Sequence, residues 1–96
     1  MNINIYGSTG VIGRKTLFLI EKNFPNLNVD LLCAKSNLKL LTQQIKKYQP
    51  KYAFLYDHKK LPNFEYQIGK TKFLNLHELN SFLLSSKSKL SLLAIS

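Results

Sequence analysis

Three glycines spaced by three, Gly7, Gly10 and Gly13, with Ser8, Thr9, Val11 and Ile12 between them, are the residues whose types and spacing point most directly to chemistry. The run G-x-x-G-x-x-G is a spacing variant of the G-x-G-x-x-G fingerprint that cradles the pyrophosphate of a dinucleotide. Each glycine has its own task in such a turn. Gly7 lets the chain bend sharply out of a strand, Gly10 keeps a side chain away from the place where phosphate meets backbone N–H groups, and Gly13 lets a helix lie close to the sheet. Ser8 and Thr9 are expected to add hydroxyl donors at the mouth. A helix starting near Val11 offers free N–H groups and the positive end of its dipole, with Arg14 and Lys15 reinforcing the sign just inside it. No Gly-Lys-Ser/Thr ending follows, so the run is not a Walker loop.

The second strand decides which dinucleotide is expected. An NAD site places an acidic residue at that strand's tip, against the ribose 2′-OH, whereas here the tip reads Ala34-Lys35-Ser36-Asn37. Lysine, serine and asparagine can hold a 2′-phosphate by charge and hydrogen bonds, which predicts NADPH. Asp30 stands too early in the strand to reach the ribose. Ser36 or Asn37 can also cap the helix that follows, and capping is compatible with phosphate binding.

Catalytic chemistry is not legible. Glu21, Asp30, Asp57, Glu65 and Glu78 form no pair or cluster in the sequence, His58 and His77 lack metal-ligand companions, and no serine or cysteine sits in a nucleophile motif. The reading is a cofactor site without catalytic or metal-binding residues.

The elements needed to position these residues follow from periodicity. Asn2–Tyr6 reads as a strand stopping at Gly7, and Leu17, Ile20, Glu21 and Phe24 recur at helical spacing until Pro25. Val29–Ala34 is nearly continuously apolar, as in a strand covered on both faces, and completes a βαβ unit. Leu38, Leu41, Ile45 and Tyr48 form the stripe of a second helix closed by Pro50, and Tyr52–Tyr56 reads as a third strand. Residues 57–71 read as a loop with short elements, in which Phe64, Tyr66 and Ile68 alternate. A short strand over Lys72–Asn75, a helical face on Leu76, Leu79, Phe82 and Leu83 and a final strand from Leu90 complete the pattern. The fold class expected is α/β, a Rossmann-like parallel sheet with flanking helices over residues 1–96. Because the chain stops on a strand, it is expected to be the N-terminal piece of a longer protein.

Composition agrees. A 96-residue chain with 45% hydrophobic and 20% charged residues has the profile of one globular domain. No apolar run is long enough to span a bilayer, so no membrane partner is expected. The single Cys33 fits a reduced, cytoplasmic setting. The net charge of +9 is spread over lysines along the whole chain rather than gathered in a stripe, which speaks against a nucleic-acid partner.

With these residues set out, the sequence resembles the N-terminal NADPH-binding domain of the 1-deoxy-D-xylulose 5-phosphate reductoisomerases along its whole length. The resemblance rests on Ile5-Tyr6-Gly7-Ser8-Thr9-Gly10-Val11-Ile12-Gly13 followed by Thr16-Leu17, on Ala34-Lys35-Ser36-Asn37, on Gln49-Pro50-Lys51-Tyr52-Ala53 and on Leu93-Ala94-Ile95. It implies that Thr9, Gly10, Val11 and Ile12 hold the cofactor's phosphates, and that Lys35, Ser36 and Asn37 surround the adenosine ribose and its phosphate. Val11 stands where the family has serine, and the family's glycine followed by a basic residue appears here as Lys35 then Ser36. For the complete enzyme the resemblance implies isomerisation and NADPH-dependent reduction of the phosphosugar to 2-C-methyl-D-erythritol 4-phosphate in isoprenoid precursor synthesis. It further implies Mg²⁺ or Mn²⁺ held by residues beyond this chain, and it allows a homodimer. Other readings open at this point are the NADP-binding domain of another oxidoreductase, a basic nucleic-acid-binding module, and a poorly folding remnant.

Overall fold

A computed structural model of the chain describes residues 2–63, 66–85 and 90–93. Strand β1 (Asn2–Tyr6) buries Ile3, Asn4 and Ile5 together, as expected of a strand with neighbours on both edges and cover on both faces. Helix α1 (Val11–Asn23) follows the glycine turn and buries Gly13, Leu17 and Ile20. It ends where the Phe24 N–H bonds the Ile20 carbonyl, immediately before Pro25, which cannot continue the helical ladder. Strand β2 (Asn28–Ala34) is buried from Val29 onward and pairs parallel with β1. The register steps from Ile3↔Val29 to Asn4↔Leu31, so Asp30 is the extra residue of a bulge in the buried first half of the strand.

Helix α2 (Leu38–Tyr48) is capped by Asn37, whose side chain accepts from the Leu40 N–H at 3.0 Å. It closes on Gln49 in the left-handed region, φ 49°, before Pro50. Strand β3 (Tyr52–Leu55) pairs parallel with β2. The described residues of 57–71, expected as a loop with short elements, include a 3-10 turn at His58–Lys60 and the two-residue strand β4 (Gln67–Ile68). Strand β4 runs antiparallel to β5 (Thr71–Phe73) around Gly69, whose φ of 55° suits a tight hairpin. Phe64 lies outside the described residues. Thr71 belongs to the strand and not to the loop: it is buried, and its hydroxyl donates to the Pro50 carbonyl.

Helix α3 (Leu76–Ser85) starts with a reciprocal cap, in which the Glu78 N–H donates to Asn75 Oδ1 at 2.7 Å and the Asn75 N–H donates to Glu78 Oε1 at 3.0 Å. The Asn75 N–H, with Lys72 Nζ at 3.0 Å, holds the Glu78 carboxyl below its ordinary pKa. Strand β6 (Leu90–Leu93) then lies parallel to β1.

The sheet order is β4-β5-β3-β2-β1-β6, parallel except for the β4 edge. Side-chain alternation sorts the core into two layers. Ile3, Ile5, Leu32, Ala34, Ala53 and Leu55 face Leu17 and Ile20 of α1 and Leu41 and Ile45 of α2. Leu31, Cys33, Phe54 and Leu74 face Leu79 and Phe82 of α3. The near-continuous apolar run of β2 thus has its explanation: alternate residues serve opposite layers, and both layers are covered. The chain runs from β1 to β2 and on to β3 on one side, then returns to place β6 on the other side of β1. The order of the parallel strands therefore reverses at β1, the position where α/β sheets open a crevice beyond their carboxyl ends.

Candidate functional site

The glycine turn stands at that reversal. The N–H groups of Gly7 and Ser8 both donate to the Cys33 carbonyl, at 2.8 and 3.0 Å, so the chain leaves β1 while still tied to β2. Gly7 has φ 78°, a conformation that a Cβ disfavours, and the Gly10 N–H closes the turn on the Gly7 carbonyl at 3.2 Å. Gly13 is glycine for space. A Cβ there would press on the Gly7 carbonyl oxygen and stand 2.8 Å from Ser8 Cα. The close approach that Gly13 permits is thus against the turn at the end of β1, which locks the first turn of α1 onto the loop.

At Gly10, the N-cap of α1, no side chain caps the helix, and its first turn holds no acid. The first N–H groups of α1 therefore keep their capacity to bind an anion, and the dipole adds a positive potential. In α2 and α3 the same groups are engaged by Asn37, Asn75 and Glu78. Val11 and Ile12 are exposed at this mouth, Thr9 is half-buried, and the Arg14 guanidinium folds back to the Gly10 carbonyl, Nε donating at 3.4 Å.

Ser8 departs from expectation. Its side chain is fully buried beneath the turn instead of standing at the mouth, and its Oγ has no hydrogen-bond partner among the described residues. Only its backbone can serve a ligand. A hydroxyl in that condition carries a desolvation penalty, so Ser8→Ala should leave stability unchanged or raise it by up to about 1 kcal/mol. Nucleotide affinity should stay within two-fold in that variant. Thermal melting with a parallel NADPH titration checks this, and a large loss of affinity would return the hydroxyl to the ligand's side.

Gln44 was not legible as a site residue. It lies on the buried stripe of α2 between Leu41 and Ile45, and its Nε2 donates to the Ser8 carbonyl at 2.7 Å. The bond holds the second residue of the glycine turn from below, across 36 positions of chain. A polar residue on the apolar face of an amphipathic helix was the available signal, because burying such a group is costly without a partner; here Nε2 has the Ser8 carbonyl, while Oε1 has no partner among the described residues.

The tip of β2 carries the other candidates. Lys35 and Asn37 are exposed, Ser36 is half-buried and Ala34 is buried. The Asn37 side-chain oxygen is committed to capping α2, which leaves its amide group to donate to a ligand. Beyond the last residue of β3 the parallel ladder continues: the Tyr56 N–H donates to the Ala34 carbonyl at 2.9 Å and the Asp57 N–H to the Lys35 carbonyl at 2.8 Å. The acid-free tip read from the sequence therefore has an acid-bearing residue next to it, contributed by the neighbouring strand. Asp30 sits at the opposite half of β2, as expected, about 16 Å along the strand from Lys35 at ~3.3 Å per residue.

An open cleft of about 490 Å³ runs past these residues, with Gly7, Cys33, Ala34 and Lys35 on one side and Phe54 and Tyr56 on the other. Burial pushes the Cys33 thiol up to about 12, so the thiol stays protonated and neutral at physiological pH. Among the described residues no three His, Cys, Asp or Glu side chains gather as metal ligands, and no helix is long and apolar enough to cross a membrane.

Comparison with known proteins decides the family. The family model for 1-deoxy-D-xylulose 5-phosphate reductoisomerase matches residues 3–95. The chain belongs to this family. Among curated reductoisomerases, that of Lachnoclostridium phytofermentans is 43% identical over 58 residues, covering 60% of this chain and 15% of its own length. That of Proteus mirabilis is 39% identical over 69 residues, covering 72% and 17%. The solved reductoisomerase of Zymomonas mobilis in complex with NADPH superposes with a TM-score of 0.59 at 26% identity, over 95% of this chain and 20% of that one. The chain thus spans about a sixth to a fifth of the reductoisomerases it matches. The resemblance expected from the glycine turn, the β2 tip and the approach to β3 holds at the level of the family, and the α/β fold class holds with it.

Proposed function

We propose that this chain binds NADPH, with Gly7–Gly13 and the N-terminus of α1 around the pyrophosphate and Ala34, Lys35, Ser36 and Asn37 around the phosphorylated ribose. One observation carries the reading: an uncapped helix N-terminus, without an acid in its first turn, follows a glycine turn at the strand where the sheet order reverses. Backbone N–H groups there meet the pyrophosphate. The Lys35 ammonium, exposed at the β2 tip, supplies the charge that the 2′-phosphate requires.

As the cofactor half of a longer cytoplasmic reductoisomerase, the chain serves the isomerisation of 1-deoxy-D-xylulose 5-phosphate and its NADPH-dependent reduction to 2-C-methyl-D-erythritol 4-phosphate. NADPH supplies the hydride, and this chain's residues bind and orient it. The Mg²⁺ or Mn²⁺ and the phosphosugar of such an enzyme are not assigned to residues of this chain.

Titration of the 96-residue chain with NADPH and NADH, followed by reduced-nicotinamide fluorescence, tests the reading. NADPH should bind at least about ten-fold more tightly, the equivalent of one charge-assisted contact. Equal affinities would transfer the ribose contact to Asp57 and remove the NADPH assignment. Failure of a folded chain to bind either nucleotide would remove the cofactor role.

A further inference from the structure

The cleft that begins at the glycine turn does not end at the ribose candidates. It continues to the carboxyl end of β3, where Phe54 forms part of its wall and Tyr56 stands at its edge. Phe54 is buried in the α3 layer with its ring edge-on to His58, centroids 5.0 Å apart. Strand alternation puts Tyr56 on the same side of the sheet. Tyr56 is 72% exposed, and among the described residues it has no ring partner.

Exposure alone would say little, since Val11, Phe18, Phe24 and other apolar side chains are also exposed. Placement distinguishes Tyr56. Its backbone is fixed to the β2 tip by the bond from its N–H to Ala34, and the next residue is fixed to Lys35 in the same way. The backbone that carries the ring is thereby held next to the residues assigned to the phosphorylated ribose. A ribose held at Lys35 to Asn37 carries its base at C1′, close to the 2′-phosphate, so the base has to settle on a nearby surface. A flat, exposed aromatic ring next to that position is the surface the fold supplies.

We propose that Tyr56 is the platform on which the adenine of the bound dinucleotide stacks, with Phe54 closing the cleft behind it. The inference rests on the NADPH reading given above and names the base subsite of that same cleft. Stacking uses the face of the ring and not the hydroxyl, so phenylalanine should replace Tyr56 and alanine should not.

The test compares Tyr56→Ala and Tyr56→Phe with the unaltered 96-residue chain, using 2′,5′-ADP, NADPH and inorganic pyrophosphate as probes in calorimetric titrations. Tyr56→Ala should weaken 2′,5′-ADP and NADPH about ten-fold, in the range of one base–aromatic stack, and leave pyrophosphate within two-fold. Tyr56→Phe should bind all three as the unaltered chain does. Because the side chain is largely exposed, both variants should melt with the unaltered protein. Unchanged 2′,5′-ADP affinity in Tyr56→Ala, or an equal loss of pyrophosphate, would overturn the platform while leaving the cofactor reading in place. If the unaltered chain binds neither nucleotide, the cofactor reading falls and this inference with it.

Discussion

Gly13→Ala should unfold this domain at a much lower temperature and abolish nucleotide binding, although alanine is the better helix former. Two effects oppose each other at this position. Replacing glycine inside a helix gains up to about 1 kcal/mol in propensity. Against that, the new methyl group would press on the Gly7 carbonyl oxygen and lie 2.8 Å from Ser8 Cα and 2.9 Å from the Gly7 carbonyl carbon. All three atoms are backbone, so no rotamer change relieves the contact. Either α1 or the turn must shift, and overpacking of this kind costs about 3 kcal/mol or more. For a domain of this size a net loss near 2 kcal/mol lowers the melting temperature by roughly 10 °C. Binding should suffer beyond that loss, because the atoms displaced are those of the turn itself. Melting within about 2 °C of the parent, with NADPH affinity retained, would show that the approach of α1 to the turn is not what Gly13 provides. Gly69→Ala is the control: a Cβ there meets nothing within 4 Å, and only the φ of 55° is strained, at about 1 kcal/mol.

The second large effect is expected from Gln44→Glu, which changes shape very little. The Gln44 amide donates to the Ser8 carbonyl at 2.7 Å from a buried position. An ionised carboxylate in the same place aims an acceptor at an acceptor and buries a charge. Loss of such a buried contact costs about 3 kcal/mol. It also sets a negative charge beneath the turn that is to receive pyrophosphate, so nucleotide affinity should fall more than ten-fold at neutral pH. The pH dependence has a definite sign. Burial raises the pKa of a carboxyl placed there in the folded state, and its protonated form can donate to Ser8 as the amide does. The variant's stability is therefore present below the unfolded carboxyl pKa of about 4.3 and is lost as pH rises through the folded value. Melting curves of variant and parent should converge on acidification and separate toward neutrality. A gap that does not depend on pH would refute the role assigned to the amide donor.

How much of the site was legible depended on the range of the interactions involved. Gly7 could be read from its neighbours because the sharp exit from β1 is a local backbone demand, and φ 78° is its realisation. Asn37 could be read both as a cap and as a ligand candidate because capping involves residues three positions apart. Ser8 differs from expectation because its hydroxyl is buried beneath the turn and its carbonyl accepts from Gln44, 36 residues away, a meeting that local sequence does not encode. Gln44 was passed over for the same reason. The strands of residues 66–73 were weak in sequence because β4 has two residues and β5 three, too few for an alternation to stand out.

The sequence by itself determined the order of strands and helices, the strand–glycine turn–helix unit and the absence of an acid at the β2 tip, while the family rests on the likeness of whole residue runs to the reductoisomerases. Such features follow from residue types within a few positions of one another, through φ preferences, capping and the periods of two and 3.6. Only the tertiary structure decided what surrounds the glycine turn. It returned the chain to lay β6 beside β1, which makes the end of β1 the crevice. It put Gln44 under Ser8, and it carried Tyr56 and Asp57 to the side of Lys35. Each of these joins segments that are distant along the chain, and side-chain pattern along one segment holds no record of which other segment it will meet. The turn's form was written locally; its supports and neighbours came from the way the strands assembled.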